Sequence, residues 1–384
     1  MQTIITSGVS IKLWCDAVEP EALQQARDIA ALPFAFKHVA VMPDCHSGFG
    51  MPIGGVLAAR DFIVPNAVGV DIGCGVRAVK FLNLKHSDMD LESIRHLLTE
   101  IRALIPVGFA HHQQAQDWLG FSHAPEIAVI QRELESARRQ LGTLGGGNHF
   151  IELQADPDGM LYGMVHSGSR NFGFKVAAEY HKRALAACEK QKRMPPQKDL
   201  ASLPFDSLEG QEYFDAMNYC LDFARENRRQ MMAKLVDCVT RAYPKAKPNE
   251  EIDVHHNYAS LETHYGREVV VHRKGAIRAA AGQPGIVPGS MGTPSYITRG
   301  LGNPESFQSS SHGAGRLMGR KQAIRSLDLS QEQQRMRGIA HSLKNKRDLE
   351  EAPSAYKDID QVMRNQQDLT EICVKLTPLG VIKG

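Results

Sequence analysis

Metal-capable side chains in short, glycine-rich segments are the feature of this sequence that points most directly to chemistry. In the segment VDIGCG, residues 70–75, Asp71 and Cys74 stand three residues apart at a tight turn. Glycines at such a turn let the backbone approach a ligand closely. Carboxylate oxygen and thiolate sulfur together suit a borderline cation such as Mn²⁺ or Zn²⁺. Taken alone, the segment favours the alternative of a packed structural cysteine.

Three further segments present a histidine among polar neighbours. In LGGGNHFIE, residues 144–152, His149 follows three glycines at a strand entrance, where backbone N–H groups can face an anion beside the imidazole. A glycine-rich hairpin with a histidine cap is the alternative. VHSGSR, residues 165–170, ends an apolar strand with a histidine and with an arginine suited to a phosphate. In VHHN, residues 254–257, only one of the adjacent histidines can point into a given site if the backbone is extended, and the other is structural.

Another histidine and an aspartate have the surroundings of a nucleophile and its helper. His312 in SSSHGAGR, residues 309–316, is flanked by small residues that leave room for a bulky substrate, and Arg316 can neutralise a phosphate. Asp44 follows a predicted strand and can orient or deprotonate a neighbouring group. A satisfied turn aspartate is the alternative. For HRKGA, residues 272–276, a solvated charged turn is the favoured interpretation.

Combined, these segments supply more metal ligands than one tetrahedral zinc can use, but enough for two metals that share the thiolate. Two metals beside two arginines predict phosphoryl chemistry. The donors are Asp71, Cys74, His149, His166 and His256, and the arginines are Arg170 and Arg316.

The elements that must position these segments mix helix and strand along the whole chain. Apolar spacing predicts an α+β fold in a single interwoven domain, 1–384, because the polar segments come from all parts of the chain. Helices are expected at 20–32, 91–104, 126–141, 172–189 and 211–236. Strands are expected at 38–42, 53–59, 67–70, 76–81, 150–153, 161–165, 269–271 and 374–376. Residues 190–204 are expected to form a surface loop, and the apolar run 378–384 a docked C-terminus.

Composition places the chain among ordinary globular enzymes and excludes disordered and fibrous classes. Of 384 residues, 42% are hydrophobic and 23% are charged. The net charge of +2 gives no global case for nucleic acid, although a local basic groove is compatible with it. The sequence shows no signal peptide or membrane-spanning stretch, and its seven cysteines lack framework spacing. We therefore expect a cytoplasmic protein with no membrane partner.

Seven ordered segments resemble the RtcB family of RNA-splicing ligases over nearly the whole chain. They are DIGCG, GGGNHFIE, VHSGSR, HHN, PGSMGTPSY, SHGAGR and PLGVIKG. The resemblance implies mixed sheets flanked by helices around a central metal and nucleotide cleft. It implies a two-manganese centre bridged by Cys74. One metal is completed by His166 and His256, and the other by Asp71 and His149.

The same resemblance implies covalent chemistry at His312. Its ring nitrogen attacks the α-phosphorus of GTP, pyrophosphate leaves, and GMP remains bound to the histidine. GMP then passes to an RNA 3′-phosphate, which is in some cases first opened from a 2′,3′-cyclic phosphate. A 5′-hydroxyl attacks the activated end and expels GMP, and Asp44 assists proton transfer.

Nucleotide and RNA contacts are also carried over from the family. Arg170 and Arg316 are expected to contact RNA phosphates, and Tyr356 to pack on or bond to guanine. The full set of expected guanylate contacts is Asn148, Glu152, Asn257, Ser290, Ser295, Gly313, Ala314, Gly315, Tyr356 and Lys383.

The sequence departs from the family pattern at Gly319, where a serine is expected, and in having few insertions between motifs. These departures suggest a compact bacterial-type subtype that acts on damaged ribosomal or transfer RNA rather than on tRNA splicing halves. One alternative function is a metal-dependent phosphatase or cyclic phosphodiesterase that acts on RNA ends without covalent guanylylation. A catalytically dead binding protein is disfavoured, because His312 and all the metal donors are present.

Overall fold

A computed structural model describes the whole chain, residues 1–384, and its fold is α+β as the sequence predicts. The α-helices are α1 (Pro20–Ala30), α2 (Pro65–Val68), α3 (Leu91–Leu104), α4 (Ala128–Gln140), α5 (Arg170–Lys190), α6 (Leu208–Ala242), α7 (Arg320–Ser326), α8 (Leu329–Arg335) and α9 (Ile359–Arg364). The β-strands are β1 (Gln2–Ile4), β2 (Ser10–Leu13), β3 (Ala35–Phe49), β4 (Met51–Ala59), β5 (Phe62–Ile63), β6 (Gly75–Lys85), β7 (Phe150–Ala155), β8 (Met160–Ser167), β9 (Leu203–Pro204), β10 (Lys247–His255), β11 (Asn257–His264), β12 (Arg267–Lys274), β13 (Ala276–Arg278), β14 (Pro284–Val287), β15 (Ser295–Gly300), β16 (Ser309–Ser311) and β17 (Thr370–Lys383).

Two large sheets carry most of the strands. A six-stranded sheet has the order β1-β2-β3-β4-β12-β11, with β2 and β3 parallel, and a seven-stranded sheet has the order β10-β6-β8-β7-β17-β15-β14. The first sheet is therefore mixed, whereas every pair in the second is antiparallel. Two short pairs, β13-β16 and β5-β9, complete the strand set. Neither large sheet is built from one continuous segment, so the chain passes repeatedly between them.

Capping side chains and apolar spacing determine where the helices begin and end. Asp90 accepts a hydrogen bond from the Ser93 backbone N–H and starts α3, which has the predicted bounds. Ser207 accepts from Gly210 N–H in the same way and starts α6, whose 35 residues extend past both predicted ends. Helix α6 packs on the seven-stranded sheet, where the missing side chain of Gly163 makes room for Leu235. None of the helices combines the length and apolar character needed to cross a membrane.

Two local predictions are wrong. Residues 67–70 are not a strand, because Pro65 starts a short helix, α2, that ends at Gly69 with a φ of +94°. The segment 190–204 is a surface loop only in its first half. Its apolar residues Leu200 and Leu203 are buried, and Leu203–Pro204 pairs with β5.

The segment 272–276 is also not the solvated charged turn that the sequence favours. It lies at the end of β12, which is an inner strand of the six-stranded sheet between β4 and β11. Arg273 is fully buried and donates to Glu262, with Nη1 2.5 Å from Oε1. Lys274 is buried and donates to the carbonyl groups of Phe49 and Asn66. A buried partner for each cation explains why both can lie inside the sheet.

Arg228, in the middle of α6, stabilises the turn that carries Asp71 and Cys74 through hydrogen bonds. Its Nη1 donates to the carbonyl oxygens of Gly73 and Ser167, at 2.8 and 3.0 Å. Its Nε and Nη2 donate to the Asp253 carboxylate at 3.0 and 2.6 Å. The guanidinium is completely buried, so these bonds replace all of its contacts with water.

We expect Arg228→Met to lower the free energy of unfolding by about 3 kcal/mol, because the largely buried Asp253 carboxylate then keeps only the longer contact to Arg77 Nη1, at 3.4 Å. Urea denaturation followed by circular dichroism measures this change. Arg229→Met is the matched control, since Arg229 is exposed and pairs with Glu226 within one helical turn. That variant should change stability by about 0.5 kcal/mol or less. Equal transition midpoints for the two variants would contradict the assignment.

Candidate active site: a buried donor cluster beside a histidine

The five donors predicted from the sequence lie together. Cys74 Sγ is 3.3 Å from His166 Nε2 and 3.4 Å from His149 Nε2. His149 Nε2 is also 3.0 Å from Asp71 Oδ2. Ligand atoms within 4.8 Å of one another form two groups, Cys74 with His166 and His256, and Asp71 with Cys74 and His149. The cysteine belongs to both groups, as expected if it bridges two cations.

Strand register explains why these donors meet. Strands β10, β6, β8 and β7 are neighbours in the seven-stranded sheet. Within that sheet Val76 lies opposite His166, and His166 lies opposite Phe150 on the other side. Gly75 lies opposite His255. The turns that carry the cysteine and the histidines therefore project from the same end of four adjacent strands.

Backbone carbonyl groups fix the orientation of two histidine rings. The Nδ1–H of His149 donates to Leu144 O at 2.9 Å, and that of His166 donates to Asn148 O at 3.2 Å. Each ring therefore turns its Nε2 toward the cysteine, which is the arrangement typical of metal-ligating histidines. The buried Nδ1 of His256 has no hydrogen-bond partner in the protein. An unpaired buried nitrogen beside a thiol and a second imidazole fits a metal ligand.

Burial sets the protonation states in the cluster. It lowers the pKa of His166 and His256 well below the usual range, and the neighbouring histidines add to the effect. Burial, together with the Asp71 charge, raises the pKa of the Cys74 thiol well above its ordinary value. Without a cation, His166 and His256 are thus neutral and the thiol keeps its proton. The residues present fit two divalent cations, which would be held by neutral nitrogens, a carboxylate and a newly formed thiolate.

We expect binding of Mn²⁺ to release about one proton, because only Cys74 must ionise to become a ligand. The apparent affinity should rise about tenfold per pH unit through the neutral range. Calorimetric titration in buffers of different ionisation enthalpy counts the protons. Cys74→Ala should abolish the release, whereas Cys220→Ala, which removes another buried thiol outside the cluster, should preserve it. Proton release that persists in Cys74→Ala would count against a thiolate ligand.

His312 lies next to the donor cluster and is held by Asp44. Its ring centroid is 4.6 Å from that of His256. Its Nδ1 is 2.6 Å from Asp44 Oδ2, and its backbone N–H donates to the same oxygen at 3.1 Å. The carboxylate therefore keeps the proton on Nδ1. In the neutral imidazole the lone pair is then on Nε2, which makes no hydrogen bond to the protein.

Asp44 is itself completely buried in the irregular part of β3, where pairing with β4 shifts register between Val41 and His46. The predicted end of this strand at residue 42 is thus too early. Burial alone would raise the pKa of Asp44, but the charge and hydrogen bond of His312, with Lys357 nearby, hold it below the usual range. Gly315 packs so closely on Asp44 O that a Cβ would stand 2.1 Å from it. The small residues around His312 therefore allow close packing on Asp44 as well as access of a substrate to the imidazole ring.

A cavity of about 520 Å³ opens beside the cluster and His312. This volume suits a nucleotide-sized ligand. All of the expected guanylate contacts except Ser295 line it: Asn148, Glu152, Asn257, Ser290, Gly313, Ala314, Gly315, Tyr356 and Lys383. Burial raises the pKa of the Glu152 carboxyl to about 8, although Gln154 and Lys383 act in the opposite direction. Ser295 is buried behind the lining and accepts from Gly289 N–H at 3.3 Å.

The two arginines expected at RNA phosphates are largely occupied by protein groups. Arg170 lies outside the cavity lining and donates to Gly108 O at 3.1 Å. Arg316 lines the cavity, but its Nη1 pairs with Glu351 at 3.2 Å and its guanidinium stacks over Tyr356. In this structure Arg316 stabilises the cavity wall through these contacts. Its guanidinium is therefore not free to bind a phosphate through two hydrogen bonds.

Two cationic residues at the site, Lys274 and Arg320, were not predicted from the sequence. Lys274 lines the cavity, and burial lowers its pKa to about 8. Arg320 also lines it, with a side chain 49% exposed, and shares the buried Glu351 carboxylate with Arg316. The sequence gives little indication of their roles, because Lys274 lies in a charged segment and Arg320 lies beside Gly319, where the sequence departs from the family pattern. Nothing lies within 4 Å of a Cβ built on Gly319, so the expected serine would fit there.

The fold and the donor cluster fit a metal-binding protein, and comparison with known sequences gives its family. The model of the family described as tRNA-splicing ligase RtcB matches residues 25–126 and 120–384. The chain is 38% identical to RNA-splicing ligase RtcB of Escherichia coli K12, with 100% of this chain and 99% of that protein covered. It is 34% identical to tRNA-splicing ligase RtcB of Thermococcus kodakarensis, with 95% and 92% covered. The chain belongs to the RtcB family.

Proposed function

We propose that this protein is a GTP- and Mn²⁺-dependent RNA ligase that works through a guanylylated His312. It joins RNA ends with a 3′-phosphate or 2′,3′-cyclic phosphate to ends with a 5′-hydroxyl. The observation that carries the proposal is the His312 imidazole, with Nδ1 held by Asp44 at 2.6 Å and its ring against His256 of the donor cluster. The relatives named as RNA-splicing or tRNA-splicing ligases support the overall reaction.

Guanylylation uses the free nitrogen of His312. Nε2 attacks the α-phosphorus of GTP, a nitrogen–phosphorus bond forms, and the bond to the pyrophosphate oxygen breaks. The ring gains positive charge as its lone pair is used, and the buried Asp44 carboxylate stabilises the Nδ1–H during that change. Two cations held by the five donors would supply charge neutralisation at the phosphate oxygens.

Transfer to RNA regenerates the histidine. An oxygen of the RNA 3′-phosphate attacks the phosphorus of the His312-bound GMP, and the nitrogen–phosphorus bond breaks. The product is an RNA end activated as a pyrophosphate with GMP. The 5′-hydroxyl of the second strand then attacks the RNA 3′-phosphorus, loses its proton, and GMP leaves. A 2′,3′-cyclic end is first opened by water to the 3′-phosphate.

Guanine selection is proposed for the buried Glu152. As a carboxylate it can accept hydrogen bonds from the N1–H and N2–H groups of guanine, which adenine lacks. Lys383 and Tyr356 line the same part of the cavity wall and share the Glu351 carboxylate. These residues, with Asn148, Asn257 and Ser290, form the proposed guanylate pocket.

The biological setting is proposed from the sequence and the family. The compact chain is assigned to repair of damaged tRNA or ribosomal RNA, with tRNA splicing as the related role. Matches that reach from residue 25 to residue 384 support a single ligase domain. All seven cysteines are free, which is in keeping with a reducing cytoplasm.

Incubation with α-labelled GTP and Mn²⁺ should leave label on the wild-type protein and none on His312→Ala. Asp44→Asn should slow labelling by about 100-fold or more, because the carboxylate no longer fixes the Nδ1–H tautomer. Acid-stable label or label undiminished in His312→Ala would refute the covalent mechanism. A protein that removes 3′-phosphates or opens cyclic ends without taking up label would instead be a phosphatase or phosphodiesterase.

Glu152→Gln should raise the KM for GTP in the labelling reaction by about 10- to 100-fold, because hydrogen bonds to a charged acceptor are lost. It should also narrow the preference for GTP over ITP, since inosine lacks the N2 amine. In the wild type, GTP affinity should increase as pH rises toward about 8, where Glu152 loses its proton. That increase should disappear in Glu152→Gln. An unchanged GTP-to-ITP ratio would exclude Glu152 from recognition of the guanine N2 amine.

A further inference from the structure

A cationic groove lies next to the mouth of the active-site cavity. It has a volume of about 670 Å³ and is lined by Gly319, Arg320, Lys321, Gln322, Arg325 and Ser326. Gly319 and Arg320 also line the active-site cavity, so the two spaces adjoin at these residues. Helix α7, which forms the groove, buries only Ala323 and carries three cations and no acidic residue.

Most of the charge in this groove is uncompensated. Arg320 pairs with Glu351, but neither Lys321 nor Arg325 has an ion pair. Both side chains are exposed. Because the whole chain has a net charge of only +2, free cations at the mouth of the site are a local concentration of positive charge. A polyanion is the complementary ligand.

A fully exposed aromatic ring lies in a turn that contacts the glycine segment 145–147. Phe109 is 100% exposed and lies in a tight turn closed by Ala110 N–H and Val107 O at 3.2 Å. Gly108 N–H donates to Gly145 O at 2.9 Å, and Gly108 O accepts from Arg170. The turn is therefore anchored to the glycine segment that precedes His149, while its ring faces water.

The glycine segment 145–147 joins the aromatic turn to the groove. A Cβ built on Gly146 would stand 3.9 Å from Gly108 Cα, and one on Gly147 would stand 2.6 Å from Arg320 Nη2. The Phe109 turn and Arg320, the first cation of the groove, therefore flank the same glycine segment, which ends shortly before His149.

We propose that single-stranded RNA next to the reacting end lies across this surface, with its backbone on Lys321 and Arg325 and one base stacked on Phe109. This inference rests on the proposed ligase function. A cationic groove with an aromatic face beside it is the usual arrangement for binding single strands without sequence preference. Duplex RNA does not offer a free base to Phe109, since its bases are already stacked.

The double variant Lys321→Ala/Arg325→Ala tests whether these two cations bind the RNA backbone. For a single-stranded RNA with a 3′-phosphate, the slope of log affinity against log salt should decrease by about 1.4, which is about 0.7 for each lost contact. Lys321→Arg/Arg325→Lys should keep the wild-type slope. Lys182→Ala/Lys190→Ala, which removes two exposed and unpaired lysines of α5, is the matched control and should also leave it unchanged.

The variants Phe109→Ala, Phe109→Leu and Phe109→Trp test whether a base stacks on this ring. Loss of one stacked base should weaken binding of the single strand by about fivefold or more. Tryptophan should restore binding and leucine should not, because an apolar surface without a π face cannot replace stacking. Binding of a blunt duplex should be unaffected by all three substitutions.

Guanylylation by labelled GTP separates this proposal from the proposed function. Normal labelling with a raised KM for RNA in the ligation assay supports the surface. Normal labelling with unchanged RNA KM and salt slope would overturn it. Equal weakening for single-stranded RNA, duplex RNA and poly-glutamate would show a general polyanion site and overturn the single-strand assignment. Absence of labelling in the wild type would refute the ligase function instead.

Discussion

Everything in this structure depends on keeping a group of ionisable donors out of water and close together. Cys74 lies within 3.4 Å of two imidazole nitrogens, and one of these is 3.0 Å from a carboxylate. Such a group is expensive to bury unless each polar atom has a partner. Carbonyl groups occupy one nitrogen on each of two rings, and the atoms that remain are those that a cation can bind. The fit of this cluster to a metal ion is thus a property of the packing.

Helix α6 stabilises this packing through hydrogen bonds to the turns that carry the donors. Asn227 accepts from the backbone N–H groups of Gly142 and Thr143, and donates to Thr143 O, Ser167 Oγ and Gly168 O. Arg228, the next residue, holds the turn after Asp71. Two adjacent polar side chains in one helix therefore fix the three turns that carry Cys74, His149 and His166. A helix is a rigid support for ligands whose positions must hold to a fraction of an ångström.

The parts of the site that sequence predicted best are those in which residue type alone carries the chemistry. The donor residues and His312 could be predicted because their segments match the family motifs in type and order, although a cysteine at a turn, taken alone, is more often a packing residue. The cations were harder to interpret, since a charged segment such as 272–276 is usually solvated, and only the neighbouring strands supply the buried partners of Arg273 and Lys274. Similarly, the engagement of Arg316 by Glu351 depends on a contact between residues far apart in the sequence. Long-range pairing of this kind leaves no local pattern.

The place of β17 in the seven-stranded sheet has a consequence for how the protein is made. This strand comes late in the chain, yet it lies between β7 and β15 and carries Lys383 into the cavity. Until it is synthesised, β7 has an open edge with unpaired backbone groups, and the two halves of the sheet cannot join. Such an edge can pair with other chains, and contacts of long sequence separation form slowly. The nascent protein therefore passes through a stage in which protection by a chaperone would matter more than it does for the finished enzyme.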